Sequence, residues 1–67
     1  MEYGMKVREY VVLWYPGYWE PIQEDRFTST YRAGSKANLE EAMSYLKRCY
    51  GYKRYIEIDQ IYLANDR

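Results

Sequence analysis

Lys6-Val7-Arg8-Glu9-Tyr10-Val11-Val12-Leu13-Trp14-Tyr15 is dense in β-branched and aromatic residues, which favour a pleated, half-buried surface. We read it as a strand, the most apolar of the chain, and the rest of the fold is placed around it. Strand side chains alternate between two faces. Met5, Val7, Val11, Leu13 and Tyr15 form the face expected to meet the core, although Glu9 interrupts it; Lys6, Arg8, Tyr10, Val12 and Trp14 form the other. Pro16-Gly17 ends the run, because proline fixes φ and glycine admits the positive φ of a type II turn. Pro21 cannot donate to a sheet ladder, so Tyr18 to Gln23 is restricted to an edge position if it pairs at all.

Further along, Arg26 to Ala33 alternates as a second strand, with Phe27, Ser29, Tyr31 and Ala33 on one side and Arg26, Thr28, Thr30 and Arg32 on the other. Gly34-Ser35 breaks it. Leu39, Ala42, Met43, Leu46 and Tyr50 then recur at helical spacing and predict an amphipathic helix. Two caps suit its start, Ser35 or Asn38 with Glu41 three residues on. Glu40 and Glu41 are expected near the positive end of the helix dipole, Lys47 and Arg48 near the negative end, and Gly51 at a left-handed C-cap. The last segment, Arg54 to Leu63, carries Ile56 and Ile58 on one face and Ile61 and Leu63 in the opposite phase. Such a phase change marks a bulge near Asp59-Gln60, or an end to one-sided burial. The last three residues are expected to fray.

The order ββαβ predicts an α+β, two-layer fold. A helix of about 15 residues spans ~22 Å, enough to cross one face of a small sheet. A right-handed crossover then places the last strand beside the first, giving a three-stranded antiparallel sheet of order 2-1-3 with one helix on one face. The helix stripe is expected to pack on Val7, Val11, Leu13, Phe27, Tyr31, Ile56 and Ile58. At 67 residues the chain supports a single domain, 1–67, because a chain of this size buries only about 60% of its unfolded surface.

Composition narrows function mainly by exclusion. Ten Lys and Arg balance ten Asp and Glu, which weakens the electrostatic case for a polyanion partner. There is no His, and Cys49 is the only Cys, so His-based acid/base catalysis, internal disulfides and nearly all zinc sites are removed. Without a His to activate it, Cys49 is read as a small buried apolar residue. The clusters Gln23-Glu24-Asp25 and Glu40-Glu41 are read as solvated, one in a loop and one in the helix's first turn. The four glycines, at 4, 17, 34 and 51, stand at element boundaries and form no phosphate loop. An enzyme is therefore not expected, nor is a cofactor or metal. No window approaches the ~18 to 20 apolar residues of a membrane span, and the N-terminus lacks a signal-peptide core; a cytoplasmic protein is expected, with no membrane partner.

Ten Tyr and two Trp are the positive signal. With the helix on one face, the other would display Tyr10, Val12 and Trp14 with Thr28, Thr30, Arg32, Tyr55, Glu57 and Asp59. Exposed aromatics of this kind suit a binding surface, or cross-strand pairs that cover the sheet itself. Trp14-Tyr15-Pro16-Gly17-Tyr18-Trp19 sets four rings around one turn, either as an anchor or as a hairpin stapled by its own rings with Trp19 folded over the core edge. Tyr50-Gly51-Tyr52-Lys53-Arg54-Tyr55 interleaves rings with cations, a pattern that also serves single-stranded nucleic acid.

The strand Phe27-Thr28-Ser29-Thr30-Tyr31-Arg32-Ala33 and its continuation Gly34-Ser35-Lys36-Ala37-Asn38-Leu39-Glu40-Glu41-Ala42 resemble short bacteriophage and prophage reading frames, in which a strand ends in alanine, a Ser-Lys cap follows and a helix opens with Glu-Ala. The likeness covers about a quarter of the chain and implies a small protein of an infected bacterial host, of a class whose members often block a host or defence protein. The expected function is a non-enzymatic, protein-binding inhibitor, anti-CRISPR-like, acting by steric occlusion through Tyr10, Trp14, Tyr18, Trp19, Arg32, Tyr52, Arg54 and Tyr55. Self-association through sheet edges is a further expectation. One alternative is single-stranded nucleic-acid binding by Tyr10, Trp14, Tyr52 and Tyr55 with Arg8, Arg32, Lys53 and Arg54. A small RNase toxin is disfavoured by the missing His.

Overall fold

The computed structural model describes residues 6–64. Strand β1 is Arg8–Tyr15, β2 is Gln23–Ser29, helix α1 is Lys36–Tyr50 and β3 is Glu57–Leu63. The sheet is antiparallel with order β2-β1-β3, so the ββαβ, order 2-1-3 architecture read from the sequence is the one observed. The expectations placed on Met5 and on the last three residues lie outside the described residues.

The phase of β1 is the reverse of the expected one. Tyr10, Val12 and Trp14 face α1 and form the core with Phe27, Ala42 and Leu46. Volume contributes to the choice: the helix offers Asn38, Ala42 and Leu46 to the sheet, and Ala42 in the middle of that line leaves space that large sheet residues fill to reach close packing. The polar tips of two rings also find partners there, Tyr10 Oη donating to Tyr31 O at 2.8 Å and Trp14 Nε1 to Asp25 Oδ2 at 2.8 Å. Glu9, Val11, Leu13 and Tyr15 occupy the helix-free face instead. There Glu9 meets Arg26 at 3.7 Å, and Val7 is exposed. Val11 is nevertheless buried, flanked in register by Arg26 on β2 and Tyr62 on β3.

Strand β2 begins three residues earlier than expected and ends four earlier. Asp25, Phe27 and Ser29 share its helix side, so Asp25 is a half-buried strand residue and not a solvated loop acid. Tyr31 and Tyr50, expected in the core, are substantially exposed, as is Cys49. Gly17 is not among the positive-φ glycines, so the bend after β1 is not the type II turn expected there.

Ser35 is the N-cap of α1, its Oγ accepting from Asn38 N at 3.2 Å, and Asn38 Oδ1 reaches back to accept from Gly34 N at 3.0 Å. The pair differs from a capping box in that Asn38 accepts from the residue before the cap, Ser35 N donating to Arg32 O at 3.1 Å instead. Because the helix starts at Lys36, Glu40 and Glu41 fall in its second turn, and the first turn holds no acid. Gly51 closes the other end with its N–H donating to Lys47 O at 2.8 Å, but at φ 112°, ψ 140° it is not the left-handed C-cap expected there. The phase change in β3 is a bulge: the register passes from Leu13↔Gln60 to Trp14↔Ile58, leaving Asp59 as the extra residue. The bulge returns Ile56, Ile58, Ile61 and Leu63 to one side, all packed against the core.

Candidate protein-binding pole

Tyr15 pairs with Glu57, which sets the end of β1 beside the start of β3. The bend after β1 and the loop before β3 therefore meet at one pole. Two contacts join them: the rings of Tyr18 and Tyr55 lie 5.7 Å apart, and Arg54 Nη2 meets Glu20 Oε1 at 3.5 Å. Within the loop, Arg54 N donates to Gly51 O at 3.2 Å, and Lys47 Nζ donates to Tyr52 O at 3.3 Å from the last helical turn. Tyr55 Oη donates to Glu57 Oε1 at 2.6 Å. That carboxylate pushes the Tyr55 hydroxyl up to about 12, so the ring is a neutral phenol throughout the neutral range.

On this frame Tyr18 is 86% exposed, Trp19 94% and Tyr52 73%. Large rings held in water on a braced frame are suited to docking, since they offer wide contact area for few rotamers to freeze. Among the described residues no three His, Cys, Asp or Glu converge as metal ligands.

Of the eight residues singled out in the sequence, Tyr18, Trp19, Tyr52, Arg54 and Tyr55 come together at this pole. Tyr10 and Trp14 do not: they are 3% and 1% exposed beneath the helix, and the exposed rings on the helix-free face are Tyr15 and Tyr62 instead. Arg32 is at the other end of the sheet, beside Arg8 and Lys6 around a hollow of about 440 Å³. Trp19 does not fold over the core edge. Comparison with protein-family models, curated proteins and solved structures yields no match. Glu20, which clasps the pole through Arg54, is not among the residues the sequence singled out; Glu57 is expected beside Tyr55 on a displayed face, but not as the acceptor of its hydroxyl. The signal for Glu57 was its position two residues after Tyr55, a spacing that shares a face in an extended chain.

No helix among the described residues is long and apolar enough to cross a membrane.

Proposed function

We propose that the protein is a non-enzymatic binding module that docks on another protein through the pole formed by Tyr18, Trp19, Tyr52, Arg54 and Tyr55. The observation that carries this reading is Trp19, almost fully in water next to an exposed Tyr18, on a segment braced by the Tyr18–Tyr55 and Glu20–Arg54 contacts. Trp, Tyr and Arg dominate interface hot spots, and clustered apolar exposure on a small domain marks an interaction site. The mode of action is occlusion, the pole covering a working surface of its partner. The likeness to short phage reading frames supplies the partner class, a host or defence protein.

Trp19→Ala tests this cleanly because the ring supports nothing in the fold. Its stability should change by less than about 0.5 kcal/mol. Capture of the partner from a bacterial lysate should fall by about 30-fold, the equivalent of a hot spot worth ~2 kcal/mol. Retention of the same partner at the same affinity by Trp19→Ala, and by Tyr18→Ser with Tyr52→Ser, would refute the reading. The nucleic-acid alternative is less well supported: two of its four rings are buried, and its cations are divided between the two ends of the sheet.

A further inference from the structure

A second surface is independent of the aromatic pole. Ala64 N donates to Glu9 O at 2.9 Å, so the backbone of Glu9 faces β3. Alternation along an antiparallel ladder then turns the backbone of Tyr10 toward β2, and that of its register partner Phe27 toward β1. The N–H and C=O groups of Glu24, Arg26 and Thr28 consequently point away from the sheet. Among the described residues no strand pairs with them. A groove of about 700 Å³ runs between this edge and α1, lined by Arg26, Phe27 and Thr28 below and Glu40, Glu41, Tyr45 and Arg48 on the helix, with no β1 residue in its wall. It thus opens along the free edge. Of its two cations, Arg26 is paired with Glu9 and Arg48 follows Tyr45, away from Glu41.

Two features give the groove a chemical preference. Its floor is aromatic, with the Phe27 and Tyr45 rings 6.4 Å apart. At its Thr28 end stand Glu40 and Glu41, and Glu41 Oε1 is buried without a hydrogen-bond donor. One turn of helix from Glu41 to Tyr45 rises ~6 Å, which matches the ~6.7 Å between alternate residues of a strand.

We propose that an extended peptide segment adds to the β2 edge as a fourth, antiparallel strand, and that it carries a Lys or Arg followed two residues later by an apolar residue. The cation lies opposite Ser29, where it meets the Glu41 carboxylate; the apolar side chain lies opposite Phe27, against Tyr45. The residue between them pairs its backbone with Thr28. Main-chain pairing supplies affinity and the two helix-side positions supply selectivity, as in other strand additions beside a helix.

The test uses the whole chain, labelled for amide NMR, and the synthetic peptide TTKTVT. Saturable shifts confined to the amides of β2 and to α1 around Glu41 are expected, with hydrogen exchange slowed at Arg26 and Thr28. TTETVT should bind at least tenfold more weakly, and Glu41→Gln should lose most of the preference for Lys. N-methylation of the threonine between Lys and Val should abolish binding, whereas N-methylation of the valine, whose amide faces outward, should spare it; these peptides leave the protein unchanged. The proposal is overturned if no saturable shift occurs up to about 1 mM peptide, or if the Glu peptide binds equally. It is also overturned if the edge amides shift with protein concentration alone, which would assign the edge to a second copy of the chain.

Discussion

The carboxylate of Asp25 accepts from Trp14 Nε1 at 2.8 Å and from Tyr50 Oη at 2.9 Å, joining a central strand, an edge strand and the helix C-terminus. The Trp14 and Tyr50 rings meet at 5.0 Å over it. Removing the acceptor leaves a buried indole N–H without a partner, so Asp25→Ala should cost about 2–3 kcal/mol in urea unfolding. Asp25→Asn, which retains one acceptor oxygen, should cost less. Trp14→Ala is a folding variant for a different reason: it empties a site that is 1% exposed and should cost ~3–5 kcal/mol, close to the whole stability of a small domain. Only Trp19 can therefore serve to probe binding. The Asp25 contact also sets an alkaline limit. Hydrogen bonding to Asp25, then burial, raises the Tyr50 hydroxyl above its ordinary 10.0. A raised phenol contributes stability that is complete below pH 10 and is lost as pH climbs through the folded-state value, so the wild type should lose stability above pH 10 and Asp25→Ala less of it. At the exposed pole Tyr55 should titrate near 12 in a ¹³C-tyrosine NMR titration, and Glu57→Gln should bring it down toward 10.

At the scale of elements, α1 was legible because its signals are local. Ser35, Gly51 and the apolar spacing each act within a few residues; the structure uses both ends and, of the expected stripe, buries Ala42 and Leu46. Ser35→Ala should cost about 1 kcal/mol. Gly51→Ala meets nothing within 4 Å, so its penalty of about 1 kcal/mol or more arises from the positive φ alone; at φ 112°, ψ 140° Gly51→Asn should cost as much as Ala, which thermal unfolding can resolve. The β3 bulge was legible too, since a phase slip between Ile58 and Ile61 within one apolar run leaves few other solutions. The start of β2 was not: Gln23, Glu24 and Asp25 look like a solvated loop until Trp14 and Tyr50 are known to need Asp25. Helix orientation was misjudged by a fraction of a turn. Hydropathy pointed to Leu39 and Tyr50, whereas the buried line runs through Asn38, Ala42 and Leu46, with Ala42 at its middle leaving room for the Tyr10 and Trp14 rings.

For the whole molecule, the reversal of β1 is the lesson in scale. Both faces of that strand are apolar, and each face's hydropathy alone cannot say which one the helix covers. Glu9 held the answer, since a charge in mid-strand belongs on the solvated face, and there it pairs with Arg26. The reversal moves Trp14 inside while leaving Trp19 out, so the chain carries one reporter of its core and one of its proposed docking pole. Native emission should therefore resolve into a blue-shifted component inaccessible to acrylamide and a red-shifted one that is readily quenched. Trp19→Phe should delete the quenched component and leave the other intact; urea should merge the two in the wild type. A bound partner should shield Trp19 from acrylamide without altering Trp14, and with ten cations against ten acids in the chain that protection should depend weakly on salt. Shielding that vanished between low and moderate ionic strength would instead point to a polyanion, and the apolar pole would lose its role as the contact that matters.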